Sequence, residues 1–326
     1  MRSYSTAIIG CGNIAGKWNA DKNVQSVLTH AKAYEKHTAT QLISCCDTDG
    51  AAADEFARRW GLSRHYTSVD KMLAEEAPDF VSICTPTAFH LQAVQQVVSS
   101  HHKPLAVLLE KPVADNFKDA AEIASLLRQA EIPCNVNYTR RFDPSIRSIQ
   151  ELVTSLKLGK VAQFRGLYTK GISNNGSHLV NLLRFFLGPV ENRHVLHHFF
   201  EFEKDPTVTA FLSFSNNCHG IIQGWREDKY SIFELELMLE TGRVNFLDFG
   251  NRVELFYAQR DPIYPEYTIL NPQPEIIRTD LNNALYFYIE NTIDAIENRD
   301  ALFSPIEDAL EDVLIISELK RDLPYA

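Results

Sequence analysis

A glycine-rich turn near the beginning of the chain is the first group of residues that could do chemistry. The apolar run Ala7-Ile8-Ile9 leads directly into Gly10-Cys11-Gly12-Asn13-Ile14-Ala15, which has the spacing G-x-G-x-x-A. In a strand–turn–helix unit, Gly10 would turn tightly, a pyrophosphate would approach the backbone at Gly12, and Ala15 would let the helix pack on the strand. Amides at the start of that helix would hold the phosphates. The turn therefore predicts a dinucleotide site.

An acidic residue ends the next predicted strand. Residues 41–47 read Gln-Leu-Ile-Ser-Cys-Cys-Asp, so the apolar run closes at Asp47. A carboxylate there accepts hydrogen bonds from the adenosine ribose and repels a 2′-phosphate, which favours NAD over NADP. Asp47 lies 35 residues after Gly12, further than the usual ~20, and we attribute the excess to a polar insertion at residues 17–29. The alternative is that Asp47 only caps the helix predicted at residues 51–60.

Two further side chains could stabilise charge or move a proton. Lys111 lies in Glu110-Lys111-Pro112, and His178 ends the run that begins at Asn174. When hydride leaves an alcohol carbon, the hydroxyl proton must pass to a base within reach, and histidine titrates nearest neutrality. A lysine ammonium stabilises negative charge on the oxygen, and with a lowered pKa it could also carry the proton. Alternatively, Lys111 is a surface lysine and His178 only caps or packs at a helix start.

The elements that must position these residues alternate in type along the first half of the chain. Apolar strands are predicted at residues 79–84, 105–109 and 134–137, with helices at 88–99 and 116–130 between them. Strands that alternate with helices of this length predict an α/β Rossmann domain, a doubly wound parallel sheet with ligands at the carboxyl ends of its strands. The predicted strand ends carry Gly12, Asp47, Thr85 and Lys111.

The second half of the chain has a different pattern. Residues 207–215 and 233–240 alternate between apolar and polar, and Thr241-Gly242 is predicted as a two-residue hairpin turn into residues 244–247. Two amphipathic helices are predicted at 281–297 and 305–320. This half is therefore expected to be an α+β domain with a mostly antiparallel, open-faced sheet.

Length and composition bound the remaining possibilities. A chain of 326 residues exceeds one comfortable core, so we expect two domains, a dinucleotide-binding domain at residues 1–137 and a second domain at 138–326. The net charge of −10 argues against a nucleic-acid partner. The six cysteines form no C-x-x-C pair, and no apolar run is long enough to span a membrane, so a reduced, cytoplasmic protein is expected. No metal is expected, because strand alternation separates His194, His197 and His198.

Four motifs together resemble the oxidoreductase family of glucose-fructose oxidoreductase and inositol dehydrogenase, the Gfo/Idh/MocA family. They are the glycine turn, Thr85-Pro86-Thr87-Ala88-Phe89-His90, Glu110-Lys111-Pro112, and Asn174-Asn175-Gly176-Ser177-His178. The resemblance covers nearly the whole chain, and Glu-Lys-Pro after a strand is its most specific element.

The resemblance implies roles for individual residues. Lys111 matches the lysine beside the nicotinamide and the reacting oxygen, and His178 matches the usual acid/base. The implied cofactor-binding residues are Gly10, Gly12, Asn13, Ile14, Ala15, Asp47, Thr85, Pro86, His90, Glu110 and Lys111. The implied substrate-binding residues are Lys111, Tyr138, Arg140, Asn174 and His178. The resemblance also implies that residues 138–326 form a substrate-binding and oligomerisation domain. The sheet of this domain pairs subunits in similar proteins, which implies a homodimer or homotetramer.

The chain departs from the family at two positions. The aspartates of the D-x-G-x-H-x-x-D pattern are here Asn174 and Asn181. An asparagine cannot exchange a proton, so the proton transfer would fall to His178 and Lys111. For Arg140 and Arg141 two roles remain open, the binding of an anionic substrate group and a structural salt bridge to the adjoining domain.

The resemblance implies an NAD(P)-dependent oxidoreductase that transfers a hydride between nicotinamide and a secondary hydroxyl or ketone of a carbohydrate-like molecule: a sugar, sugar nucleotide or cyclitol. Two alternatives stay open. One is a regulatory protein that binds NAD(P) without catalysis, and the other is an NAD-dependent glycosidase of the same family. The insertion at residues 17–29 is expected to form a lid over cofactor or substrate.

Overall fold

The computed structural model describes residues 2–19, 21, 24–203 and 205–323. They form two compact units. The first comprises the chain up to Phe142 together with Asn282–Val313, and the second comprises Asp143–Leu281 and the segment that begins at Leu314. The chain therefore returns to its first unit near the end, which departs from the single boundary predicted at residue 138.

The first unit is built on a parallel sheet of strands β1 to β6, in the order β3-β2-β1-β4-β5-β6. Strands β4 and β5 are fully buried and, apart from Ser82, apolar, as expected for a sheet covered on both faces. The strands are β1 Tyr4–Ile9, β2 Thr40–Cys46, β3 His65–Tyr66, β4 Phe80–Ile83, β5 Ala106–Leu109 and β6 Cys134–Val136. The order and parallel pairing confirm the predicted Rossmann fold.

Helices connect these strands, and side-chain caps begin several of them. Asp49, Ser68 and Asn116 each accept a hydrogen bond from a backbone amide of the first turn that follows, which satisfies a donor that the helix itself leaves without a partner. The helices up to β6 are α1 His30–Lys36, α2 Gly50–Trp60, α3 Val69–Glu76, α4 His90–Ser99 and α5 Phe117–Gln129.

The late helices α8 Ala284–Ile296 and α9 Ile306–Arg321 explain the return of the chain. Tyr288 of α8 is fully buried, its ring centroid lies 4.8 Å from that of Phe142, and its hydroxyl donates to the Asn135 carbonyl at 2.8 Å. The Asn135 side-chain amide in turn donates to Asn291 Oδ1 at 3.1 Å. Apolar burial and paired polar groups thus join α8 to strand β6, a long-range contact that local sequence pattern does not reveal.

The second unit is a mostly antiparallel sheet, as predicted; β7 with β10 is a parallel pair. Its strands are β7 Val161–Tyr168, β8 Val190–Phe202, β9 Asp205–Phe214, β10 His219–Gly224, β11 Phe233–Leu239, β12 Gly242–Leu247, β13 Arg252–Arg260, β14 Thr268–Leu270 and β15 Glu275–Arg278. Helices α6 Pro144–Thr154 and α7 Ser177–Leu187 also lie in this unit.

Alternation along these strands separates a core face from a polar face. Leu235 and Leu237 of β11 are buried, whereas Glu236 between them forms salt bridges to Arg165 and Arg243. The strand period of two therefore identified the core correctly. No helix in the described ranges is long and apolar enough to cross a membrane.

The Tyr288 hydroxyl allows a first test of this packing. Tyr288→Phe should lower the free energy of unfolding by about 1–2 kcal/mol, because the buried Asn135 carbonyl loses the hydrogen bond from the tyrosine hydroxyl. Urea denaturation measures the difference. Tyr267, which is 61% exposed, provides the control, and Tyr267→Phe should change the free energy by less than about 0.5 kcal/mol. Equal effects of the two substitutions would contradict the importance of this hydrogen bond.

Candidate functional site

The glycine turn after β1 abuts the end of β4. Gly10 has a φ of +90° and its amide donates to the Cys46 carbonyl at 2.7 Å. A Cβ atom on Gly10 would lie 2.7 Å from the Thr85 nitrogen and 2.8 Å from the Cys84 carbonyl carbon. Around Gly12, by contrast, a Cβ would meet no heavy atom within 4 Å. The turn thus needs Gly10 for its own packing, and leaves open space at Gly12.

The polypeptide after the turn differs from the expected helix. Ala15 is fully buried, and a Cβ on Gly16 would contact the Trp60 and Phe56 side chains, so both residues allow close packing. A short 3₁₀ helix at Lys17–Asn19 follows, and α1 begins only at His30, capped by Thr29. The insertion interrupts the helix that usually follows such a turn.

Part of the insertion at residues 17–29 is anchored by Asn19. This buried side chain donates to the Ser26 carbonyl at 2.8 Å and accepts from the Leu28 amide at 2.9 Å. Residues 20, 22 and 23 lie outside the described part of the chain. A lid function for the insertion stays a prediction.

A cleft of about 600 Å³ opens at the carboxyl ends of the strands in the first unit. Its size is that of ordinary cofactor sites. The predicted residues that line it are Gly10, Gly12, Asn13, Ile14, Asp47, Thr85 and Pro86. Ala15, His90, Glu110 and Lys111 do not belong to its lining. Trp18 and Phe89, which the sequence analysis did not select, also line it, with 56% and 53% of their surface exposed.

Asp47 supports the glycine turn directly. Its Oδ2 accepts the Cys11 amide at 2.8 Å, and its Oδ1 accepts the Asp49 amide at 3.0 Å. Helix α2 is capped by Asp49, which accepts from the Ala51 amide at 2.9 Å. The alternative role of Asp47 as a helix cap is therefore wrong. Asp47 links the end of β2 to the turn after β1.

His90 lies beneath the cleft. It is 1% exposed; its Nε2 lies 3.0 Å from the Thr85 carbonyl oxygen, and its Nδ1 lies 3.1 Å from that of Val113. Burial lowers the pKa of His90, although the two carbonyls act in the opposite direction. The imidazole thus joins the loop after β4 to the loop after β5.

A buried polar network lies behind Glu110, and the sequence analysis missed most of it. His30 Nε2 lies 2.8 Å from Glu110 Oε1, and His30 Nδ1 lies 2.9 Å from Ser82 Oγ. Asn137 donates to the same Glu110 oxygen at 2.7 Å, and the Tyr34 hydroxyl lies 2.6 Å from Ser82 Oγ. The one sequence signal was Ser82, a polar residue in an otherwise apolar buried strand.

This network determines the charge of Glu110. Burial would raise the pKa of Glu110, but the hydrogen bond and charge of His30, the Asn137 amide and the Lys111 charge together hold it below its ordinary value. The carboxylate is therefore ionised at neutral pH. Lys111 follows it at the end of β5, is partly buried, and precedes a cis peptide bond to Pro112.

The predicted substrate residues of the first unit lie just after β6. Tyr138 is 1% exposed. Burial lowers the pKa of Arg140 to about 9, which leaves its guanidinium charged at neutral pH. Arg141 forms a salt bridge to Asp308 with an N–O distance of 2.5 Å and donates to the Phe303 carbonyl at 3.3 Å. Arg141 thus has a structural ion pair within its own unit.

The remaining candidates belong to the second unit. A π-helical turn at Gly171–Gly176 carries the exposed Asn174 and leads into α7, where His178 is partly buried and Asn181 is 2% exposed. Asp205 of β9 accepts the amides of Ser173 at 2.9 Å and of Asn174 at 3.1 Å. Asp205 was missed from the sequence; its carboxylate satisfies the amides of this turn.

Comparison with known proteins gives relatives for part of the chain and for the whole fold. The inositol 2-dehydrogenase of Corynebacterium glutamicum is 28% identical over 169 residues, which are 51% of this chain and 46% of that protein. The D-glucoside 3-dehydrogenase of Escherichia coli is 26% identical over 155 residues, 48% of this chain and 40% of its own length. The chain thus spans less than half of each of these relatives.

A solved structure extends the likeness in fold to all of the chain. The WlbA dehydrogenase from Bordetella pertussis, in complex with NADH and UDP-GlcNAcA, is 19% identical, has a TM-score of 0.78, and matches 100% of both chains. The family model for the oxidoreductase family with NAD-binding Rossmann fold matches residues 4–138. The resemblance drawn from the motifs is confirmed for the NAD-binding Rossmann part of the chain, because residues 4–138 match the model of the Gfo/Idh/MocA oxidoreductase family.

Proposed function

We propose that this protein is an NAD(P)-dependent oxidoreductase that transfers a hydride between nicotinamide and a secondary hydroxyl or ketone of a sugar, sugar nucleotide or cyclitol. The observation that carries the proposal is the cleft in which the glycine turn and Asp47 come together. The inositol and glucoside dehydrogenase names of the relatives support the substrate class.

The residues present fit a dinucleotide. The open space at Gly12 would admit a pyrophosphate, where any larger residue would project. The Thr85 hydroxyl oxygen, in the lining of the cleft, is buried and lacks a hydrogen-bond partner among the described residues. A ligand hydroxyl or phosphate oxygen could satisfy it. When bound, the nicotinamide would accept or supply the hydride.

Side chains of the protein would stabilise the negative charge on the substrate oxygen and transfer the hydroxyl proton. The Lys111 ammonium would stabilise negative charge on the substrate oxygen, and the His178 imidazole would take or return the hydroxyl proton. Asn174 and Asn181 can orient groups by hydrogen bonds but cannot exchange a proton. The charged Arg140 guanidinium would favour substrates with an anionic group, such as a nucleotide phosphate.

One observation keeps a second candidate open. The replacement of both family aspartates by Asn174 and Asn181 suits a regulatory protein that binds NAD(P) without turnover. The partly buried Lys111 and the retained His178 favour catalysis. A panel of polyols, sugars and sugar nucleotides, assayed in both directions by nicotinamide absorbance, decides between the two.

The oligomeric state, the cellular compartment and the class of partner are also proposals. Exposed apolar side chains on the second sheet, Leu196, Phe200 and Ile221 at 49%, 57% and 40% exposure, support a homodimer or homotetramer formed through that sheet. The six cysteines are buried and free, which suits a reducing compartment such as the cytoplasm. The net charge of −10 favours a small-molecule partner over nucleic acid.

The glycine turn generates a prediction that separates binding from stability. Gly12→Ala should weaken NAD binding at least about 10-fold, or 1.4 kcal/mol, without changing the melting temperature, because its methyl group enters open space. Gly10→Ala should lower the melting temperature as well, because its Cβ would lie 2.7 Å from the Thr85 nitrogen. Calorimetric titration and thermal unfolding measure both. Unchanged NAD affinity in Gly12→Ala would exclude this cleft as the phosphate site.

Asp47 should select the cofactor. We expect NAD to bind at least about 10-fold more tightly than NADP, because the carboxylate repels a 2′-phosphate. Asp47→Asn should narrow this preference, chiefly by weakening NAD binding. Asp49→Asn is the matched control, because asparagine caps a helix as well as aspartate does. Equal or reversed affinities of the wild type for the two cofactors would refute the assignment.

Lys111 and His178 should be needed for turnover and less for cofactor binding. Lys111→Met and His178→Gln should each lower kcat by about 10²- to 10⁴-fold, with the NAD dissociation constant changed only a few-fold. Lys118→Met, at an exposed lysine of α5, should leave kcat unchanged. Wild-type kcat in Lys111→Met would remove this lysine from the reaction.

A further inference from the structure

His30 and Glu110 form a buried pair at the carboxyl end of the parallel sheet. His30 is fully buried, Glu110 is 9% exposed, and the N–O distance between them is 2.8 Å. By residue type, Ser82, His30 and Glu110 match a nucleophile, base and acid. Ser82 is fully buried, so no substrate reaches its hydroxyl. The pair must therefore act on its protein neighbours.

The charge on Glu110 needs a positive partner, because an isolated buried carboxylate is strongly unfavourable. The ionisable groups that face it are His30 of α1, Cys84 after β4, His90 of α4, Lys111 of its own loop and Tyr288 of α8. Burial raises the pKa of Cys84 and of Tyr288 well above their ordinary values, so both are neutral. Burial also lowers the pKa of His90. The groups that hold the pKa of Glu110 down are thus His30, whose Nε2 lies 2.8 Å from the carboxylate, Asn137, and the Lys111 charge.

The loop that carries Lys111 is held at both ends by buried groups. At its beginning, Glu110 accepts hydrogen bonds from His30 and Asn137. Three residues later, the Val113 carbonyl lies 3.1 Å from His90 Nδ1. Lys111 lies between these two fixed points. The backbone from which its ammonium extends therefore has little freedom to move.

We propose that His30 and Glu110 are positioning residues for Lys111: the buried pair anchors the loop at Glu110–Val113, and the Glu110 carboxylate keeps the neighbouring lysine in its ammonium form. This proposal rests on the catalytic role proposed for Lys111. In the reaction Lys111 then acts as a cation that stabilises the substrate oxygen, and His178 is left as the proton acceptor.

Substitutions at both residues test the proposal on the full chain. His30→Leu should lower kcat by about 10- to 100-fold, by analogy with the loss that follows removal of a group that orients a metal ligand. His30→Gln, whose amide can still donate to Glu110, should recover most of that loss. In Glu110→Gln the alkaline limb of the kcat/KM profile should move to lower pH by about one unit, because the lysine loses its neighbouring carboxylate.

Matched controls separate an effect on Lys111 from loss of NAD binding or of folding. The NAD dissociation constant should stay within about twofold in all three variants, because neither residue lines the cleft. His101→Leu and Glu122→Gln change exposed residues of the same types and should behave as the wild type. If His30→Leu fails to fold, His30→Gln and Glu110→Gln carry the test. Wild-type kcat and pH profile in folded Glu110→Gln would overturn the proposal.

A readout without turnover separates this proposal from the proposed function. The lysines can be ¹³C-methylated, the Lys111 resonance assigned with Lys111→Arg, and its titration followed by NMR. Glu110→Gln should lower the Lys111 midpoint by about one unit. If no substrate is turned over but the midpoint shifts, the function fails and the support of Lys111 stands. If the wild type is active and the midpoint does not move, the support of Lys111 is refuted.

Discussion

The close approach of Gly10 to the end of β4 is the constraint on which the candidate site depends. In a parallel sheet, the loops that follow neighbouring strands emerge at one edge, so the loop after β1 and the loop after β4 must share the space there. A Cβ on Gly10 would lie 2.7 Å from the Thr85 nitrogen. Because glycine lacks this atom, the two loops touch, and the Asp47 carboxylate can reach the Cys11 amide at 2.8 Å.

Buried polar groups keep the other loops of this edge in position. Two imidazoles do so, His90 by contact with the Thr85 and Val113 carbonyls, and His30 by contact with Glu110. In a low-dielectric interior such contacts are directional and costly to leave unmade. The apolar core of the sheet alone would not define the loop conformations so narrowly. These contacts therefore fix the backbone of the loops that carry Thr85, Glu110 and Lys111.

In the second unit, a carboxylate fixes the loop that carries candidate residues. In the π-helical turn before α7, the backbone amides of Ser173 and Asn174 donate to the Asp205 carboxylate of β9. Although residues 174 and 181 are asparagines, a carboxylate, that of Asp205, lies beside this turn. The Asp205 carboxylate binds backbone amides. Because Asp205 is distant in sequence from Asn174, the sequence motif around Asn174 does not include it.

The sequence by itself determined what local pattern can encode. Apolar runs, glycine spacing and strand alternation identified the Rossmann fold, the antiparallel sheet and the cleft residues Gly12, Asp47 and Thr85. Only the tertiary structure decided what depends on distant contacts. The hairpin turn lies at Glu240-Thr241, because Gly242 already pairs with Leu239 in the sheet. Likewise, the partnership of His30 with Glu110 joins residues 80 positions apart, and packing of the whole unit, which no local pattern records, brings them together.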